Sequence, residues 1–170
     1  MFAWRGHSCP LCFPRIILSS VVECSCMLKV KLLSNSAKAP SIAHPGEDLG
    51  YDIYSAETVT IAPRGTHILS TQISIEFDPI DGRPMGALIR DKSSMAARRV
   101  ICTAGVIDSG YRGEIRIVME NLGDQPAEIH AGDKIANLIP YPVLTSPVQV
   151  VEELAESNRN AGGFGSSGRR

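Results

Sequence analysis

The sequence predicts an all-β fold, either a sandwich or a barrel. Three observations predict it. Apolar residues alternate with period two in many short runs. Turn residues separate those runs at regular spacing. Only one short stretch carries a helical pattern. Alternation puts every second side chain on one face of a strand, so each run has an apolar face that must be buried against another.

The elements follow in order. Residues 28–32 (LKVKL) alternate apolar and charged, and residues 58–61 (TVTI) alternate polar and apolar. Residues 67–77 (HILSTQISIEF) make one long β-type run, closed by Asp78-Pro79. Further strands are expected over 86–89, 105–107, 114–119, 127–130, 135–143 and 148–151. The turns between them are Pro45-Gly46, Pro63-Arg64-Gly65, Asp81-Gly82, Gly123-Asp124 and Ala131-Gly132-Asp133. The single helix is expected over 93–99 (SSMAARR), with Ser93 as its cap.

Of 170 residues, 44% are hydrophobic and 21% charged, the balance of one soluble domain with extensions. A net charge of −1 excludes a broad basic surface for nucleic acid. No apolar run approaches the ~20 residues of a membrane-spanning helix. A chain like this binds an anion with a few placed cations.

Residues 1–26 differ in texture from the rest. They hold four of the five cysteines (Cys9, Cys12, Cys24, Cys26) and the one tryptophan, Trp4. Three readings stand. A zinc site would use Cys9-x-x-Cys12 and Cys24-x-Cys26, but the second pair is tight and His7 is the only nearby spare ligand. An export signal would use residues 16–22, which Pro14, Arg15 and Ser19-Ser20 interrupt. The favoured reading is a non-structural extension, with Met27 as the functional start. The body then runs over 27–155 with one cysteine, Cys102, which fits a reducing, cytoplasmic setting.

Residues 156–170 have no apolar periodicity and read as a flexible arm. A bland linker is one reading. The other is an anion-binding arm: glycines let backbone N–H groups converge on a phosphate, Ser166 and Ser167 add hydroxyls, Arg159 adds charge, and Phe164 offers a ring for stacking.

Three segments of the body carry candidate chemistry. Asp108 follows an apolar run in 105–113 (GVIDSGYRG), at the mouth of a presumed hairpin, with Tyr111 three residues on. It reads as a general base beside a ring-reading pocket or as an ordinary turn acid. Lys92, Ser93 and Ser94 enter the helix and read as an anion site or as plain capping. Asp48 and Asp52 flank a turn and read as carboxylates for the water shell of a Mg²⁺ that arrives with a polyphosphate, or as two turn acids. The four histidines are scattered without ligand spacing.

The order and wording of five segments resemble one family. Residues 45–54 (PGEDLGYDIY), 91–96 (DKSSMA), 105–114 (GVIDSGYRGE), 132–139 (GDKIANLI) and 159–168 (RNAGGFGSSG) are similar to the five ordered motifs of the homotrimeric dUTP pyrophosphatases. The resemblance covers almost all of 27–168. It implies a jelly-roll-like β-clip fold, a homotrimer with active sites between subunits, dUTP as substrate and Mg²⁺ as cofactor.

It also implies residue roles. Asp108 is the implied base that activates water. Tyr111 is the implied ring that packs on deoxyribose and excludes a ribose 2′-OH. Cys102 and the backbone of Gly105, Val106 and Ile107 would read uracil. Lys92, Ser93, Ser94, Arg116 and Asn137 would contact substrate. Arg159, Phe164, Gly165, Ser166 and Ser167 would close over the nucleotide. Asp48 and Asp52 would face the metal through water, with no direct protein ligand.

The sequence departs from the family pattern at four of these positions. Lys92 and Ser94 stand in a motif that usually reads Arg-Ser-Gly, Asn137 stands where Gln is common, and Cys102 where Asn or Gly is frequent. A lysine is a point charge and cannot fork onto two phosphate oxygens as arginine does. Arg90 is a nearby second cation. Two rivals remain open: a dCTP deaminase or bifunctional enzyme, for which Glu120 would be the catalytic acid, and a nucleotide-sensing trimer without activity.

Overall fold

The computed structural model describes residues 27–157. Within them the chain forms eleven strands and one helix: β1 (Leu28–Leu32), β2 (Tyr51–Tyr54), β3 (Val59–Ile61), β4 (Thr66–Ser70), β5 (Ile73–Phe77), β6 (Met85–Asp91), α1 (Ser93–Ala97), β7 (Val100–Ala104), β8 (Val106–Ile107), β9 (Arg116–Asn121), β10 (Ala127–Ile129) and β11 (Lys134–Pro142). The leader 1–26 and residues 158–170 lie outside the described residues. Among the described residues no helix is long and apolar enough to cross a membrane.

All strand pairs are antiparallel, in four small sheets. Their orders are β1–β5, β10–β3, β2–β11–β6–β8 and β4–β9–β7. Every sheet sends its apolar face into one core. Ile53 of β2, Ile89 of β6, Leu138 of β11, Leu69 of β4, Ile117 and Met119 of β9, Ile129 of β10 and Ile75 of β5 all meet there. On β9 the alternation is visible directly: Ile117, Met119 and Asn121 are buried, and the residues between them are not. This is the jelly-roll-like β-clip arrangement the sequence motifs imply.

Several sequence expectations change. The run 67–77 is two strands. The chain breaks at Thr71-Gln72, where Gln72 takes φ 53°, so β4 pairs with β9 while β5 pairs with β1. Residues 148–151 form no strand despite their valines. β2 and β7 were not expected: YDIY is short and buried on both faces, and VICTA opens on three apolar residues in a row. The helix ends at Ala97, and its cap is Lys92 without a side-chain cap bond, so Ser93 is already the first helical residue.

The turns behave as their residues require. Asp81 and Gly82 both have positive φ (50° and 74°), a two-residue turn closed by bonds between Ile80 and Arg83. Asn121 anchors the β9 exit: its amide donates to the Ile61, Ala62 and Gln125 carbonyls, and its oxygen accepts from Gly123 N–H.

Candidate active site

The central sheet β2–β11–β6 builds the first half of the site. Asn137 on β11 lies opposite Asp52 on β2 and opposite Arg90 on β6. Directly paired residues of antiparallel strands share a face. Asp52, Asn137 and Arg90 therefore form a row across three strands, at the floor of a cleft of about 470 Å³ that Asp48, Lys92 and Lys134 also line. A glycine lets the sheet close here, because a Cβ on Gly50 would stand 2.8 Å from the Leu138 carbonyl oxygen.

Asp52 is the electrostatic centre of this cleft. Its side chain is only 12% exposed. Lys92 Nζ sits 3.2 Å from Oδ1 and Lys134 Nζ 2.6 Å from Oδ2. Burial alone pushes the Asp52 carboxyl up, but the two lysines outweigh it and hold the group below the usual carboxylate range. Asp48 serves its own turn. Its Oδ2 accepts the Ala43 and His44 N–H groups at 3.1 and 2.8 Å, and these bonds lower its carboxyl, the His44 N–H most.

No group of three or more His, Cys, Asp or Glu side chains among the described residues forms a metal cage. Two carboxylates in the cleft, one held by two ammonium groups and the other by backbone N–H groups, suit the outer water shell of an ion carried by a polyphosphate. They do not suit a protein-held ion. Lys134 was not singled out by sequence reasoning. Its segment was recognised, yet nothing linear shows that a bulge between Lys134 and Ala136 turns this lysine toward Asp52.

The second half lies on the other flank of β6. β8 pairs with β6, Ala87 opposite Ile107 and Leu88 opposite Val106. Asp108 follows directly and is exposed. It lines a cleft of about 340 Å³ with Val106, Ile107, Tyr141 and Leu144. Cys102, Gly105 and Val106 line an adjoining cleft of about 190 Å³ with Leu88 and Arg90. The expected hairpin is corrected here. The chain after Asp108 does not return along β8, because β9 pairs with β4 and β7 in a different sheet.

Residues 108–115 are instead a loop stapled at several points. Tyr111 N–H donates to the Asp108 carbonyl at 3.0 Å, and the Tyr111 hydroxyl donates to the Glu114 carbonyl at 3.0 Å. Gly113 is required beneath that ring, where a Cβ would collide with the Tyr111 hydroxyl. The Glu114 side chain, 14% exposed, accepts the Ser70 hydroxyl and the Gln72 backbone N–H. Burial raises its carboxyl, and these bonds with Arg116 bring it below the usual range. Cys102 N–H donates to Asp91 Oδ1 at 2.6 Å, and burial with the Asp91 charge pushes its thiol up to about 12.

Some expected residues are not brought to a cleft. Ser93 and Ser94 are exposed on the first turn of α1, just beyond the lining at Lys92. Arg116 is bonded to Glu114 at 3.0 Å on the outer side of β9. Glu120 sits on β9 opposite Thr66 and Ile101 and lines neither cleft. Arg159, Phe164, Gly165, Ser166 and Ser167 lie outside the described residues.

The dUTPase family model matches residues 35–168. The chain belongs to the dUTPase family. The deoxyuridine 5'-triphosphate nucleotidohydrolase of Clostridioides difficile is 40% identical over 144 residues, which is 83% of this chain and 97% of that one. The Candida albicans protein of the same name is 38% identical over 155 residues, 87% of this chain and 92% of its own. Among solved structures, the Staphylococcus bacteriophage 80alpha dUTPase with dUPNHPP superposes with a TM-score of 0.76 at 30% identity, covering 84% of this chain and 98% of the phage chain. A mutant dUTPase from phage phi11 of S. aureus, whose structure describes a structural Mg(II) ion, has a TM-score of 0.69 at 27% identity over 76% of this chain and 99% of its own. Both clefts lie within the matched span, the Asp52 row toward the Arg90–Asp91 end of β6 and Asp108 toward its Gly86–Leu88 end.

Proposed function

We propose that this chain hydrolyses dUTP to dUMP and pyrophosphate, keeping uracil out of DNA and supplying dUMP. Membership of the dUTPase family carries the reading, because all five motif segments fall inside the matched span 35–168. The clefts supply matching chemistry: cations and an amide in one, the exposed Asp108 carboxylate in the other.

A water held by Asp108 attacks the α-phosphorus. Its oxygen forms the new P–O bond, its proton passes to the Asp108 carboxylate, and the bond from the α-phosphorus to the bridging oxygen breaks, releasing pyrophosphate. Lys92, Arg90 and Asn137 hold the phosphates, with the Ser93 and Ser94 hydroxyls at the cleft's rim. The backbone of Gly105–Ile107, with Cys102 beside it, reads uracil, and Tyr111 stands against the deoxyribose. A Mg²⁺ arriving with the triphosphate would supply charge neutralisation, and Asp48 and Asp52 are the residues that would hold it through water. Arg159 and residues 164–167 close the site and exclude bulk water.

The two clefts have no lining residue in common. One nucleotide is served by both if the site lies between subunits, so a homotrimer is part of this reading, as is a cytoplasmic location. The deaminase alternative would need Glu120 beside the substrate, and Glu120 lines neither cleft.

The test is release of pyrophosphate and ammonia from dUTP and from dCTP. Pyrophosphate from dUTP without ammonia from dCTP is expected. Ammonia from dCTP would establish the deaminase, and binding without turnover the sensor.

A further inference from the structure

We propose that Lys134 is a second phosphate-binding cation of this site, and that Asp52 is the positioning residue that presents Lys134 and Lys92 together to a polyphosphate. The inference deepens the reading above, resting on it for the identity of the nucleotide but not for the anion site itself.

Two ammonium groups occupy opposite oxygens of one carboxylate, at 3.2 and 2.6 Å. Like charges are brought this close against their repulsion. Asp52 cancels one of them, so the triad keeps one positive charge; Arg90 lines the same cleft, as do the carboxylates Asp48 and Asp91, each of which accepts backbone N–H groups. Asp52 is nearly enclosed, whereas the Lys134 side chain is 43% exposed. An ammonium has three donors, and Asp52 takes only part of that capacity. Lys134 lines the cleft with that remaining capacity.

The backbone is shaped for this placement. Along β11, Lys134 lies opposite Tyr54 and Ala136 opposite Ile53, so Ile135 is the extra residue of a bulge. Ile135 turns into the core and is fully buried. Lys134 is thereby turned to the Asp52 side of the sheet. The placement also answers a chemical shortfall. Lys92 delivers one point charge where a guanidinium would fork onto two phosphate oxygens. A second lysine beside it restores a two-point grip. Neutralising the enclosed Asp52 carboxylate is one use of the two lysines, but the 43% exposure of Lys134 leaves its ammonium accessible for a second.

The experiment measures binding of three probes to the full chain by calorimetry: inorganic tripolyphosphate, a non-hydrolysable imido analogue of dUTP, and dUMP. K134Q is expected to weaken tripolyphosphate and the analogue about tenfold or more, the scale of one hydrogen bond to a charged group. It is expected to leave dUMP within about twofold, and K134R to restore most of the loss. Melting curves check that the variants fold, with K134M as the substitute should K134Q fail. Unchanged tripolyphosphate and analogue affinity, or an equal loss for dUMP, would overturn the assignment of Lys134. In a D52N background the K134Q effect should shrink below about threefold, since Asp52 acts through the lysines. An undiminished effect would remove Asp52 as the positioning group. If the wild-type chain binds tripolyphosphate but not the uridine analogue, the dUTP reading falls while the cation pair is still tested.

Discussion

Ile89 and Gly105 are locked together backbone to backbone. The Ile89 N–H donates to the Gly105 carbonyl at 2.7 Å, and a Cβ on Gly105 would stand 2.6 Å from the Ile89 carbonyl oxygen. That contact presses the segment proposed to read uracil onto β6, the strand that carries Arg90 into the phosphate cleft. No side chain larger than hydrogen fits without moving one of the two strands.

Gly105→Ala should therefore shift β8 and Asp108 with it. The expected cost is about 1–3 kcal/mol of stability, the usual range for forcing extra volume into a packed place. The KM for dUTP should rise as well. Urea unfolding and steady-state kinetics check both, and a variant unchanged in both would show that the strands are not pinned here.

Asp108→Asn should abolish hydrolysis while keeping fold and nucleotide binding. The amide matches the carboxylate in shape but cannot accept the water's proton. A loss on the order of 10²–10⁴-fold in kcat is expected for a removed general base. Near-normal turnover would place the base elsewhere.

Tyr111 is held by its hydroxyl on the Glu114 carbonyl and by the open space at Gly113. Tyr111→Ala should erode the preference for dUTP over UTP, because the space needed by a 2′-OH becomes available. Tyr111→Phe keeps the ring and should keep most of the preference. The ratio of kcat/KM for the two nucleotides reads this directly, and an unchanged ratio in the alanine variant would move sugar selection to the backbone.

The Glu114 carboxyl has a folded pKa below its ordinary value. Its contribution to stability is then fully present above the unfolded glutamate value of about 4.3 and is lost as pH falls through the lower folded value. Wild type should lose stability over that acid range. Glu114→Gln should be less stable near neutrality and should show a shallower acid loss. Urea unfolding between pH 3 and 6 compares the two slopes, and equal slopes would contradict the assignment.

Strands with strict alternation were legible in the sequence, and β1 over 28–32 was expected with its observed bounds. Legibility failed where tertiary pairing overrides local pattern. Nothing in HILSTQISIEF marks Gln72 as the point where the chain changes sheets, because the break is set by the partners β9 and β1. The VQVV run alternates no worse than β3, yet it has no partner strand among the described residues. The site divides in the same way. Asp108, Lys92 and Asn137 stood out within their motifs. The row Asp52–Asn137–Arg90 depends on register across three strands, and Lys134 depends on a bulge, neither of which a linear pattern contains.

The separation of the two clefts leads to the last prediction. Lys92 and Asp108 line different clefts, one at the Arg90–Asp91 end of β6 and one at its Gly86–Leu88 end. A site built within one chain would need both on one nucleotide, whereas a site between subunits takes each from a different copy. Two inactive chains, Asp108→Asn and Lys92→Met, are unfolded in equal amounts and refolded together. If each site borrows the two residues from different subunits, random assembly leaves about a quarter of sites with both intact. Activity should return to about that fraction of wild type, and neither variant refolded alone should show it. If both residues come from one chain, no mixed site is complete. Zero recovery in mixtures whose heteromers are demonstrated by mass would place Asp108 and Lys92 in the same subunit and end the shared-site reading.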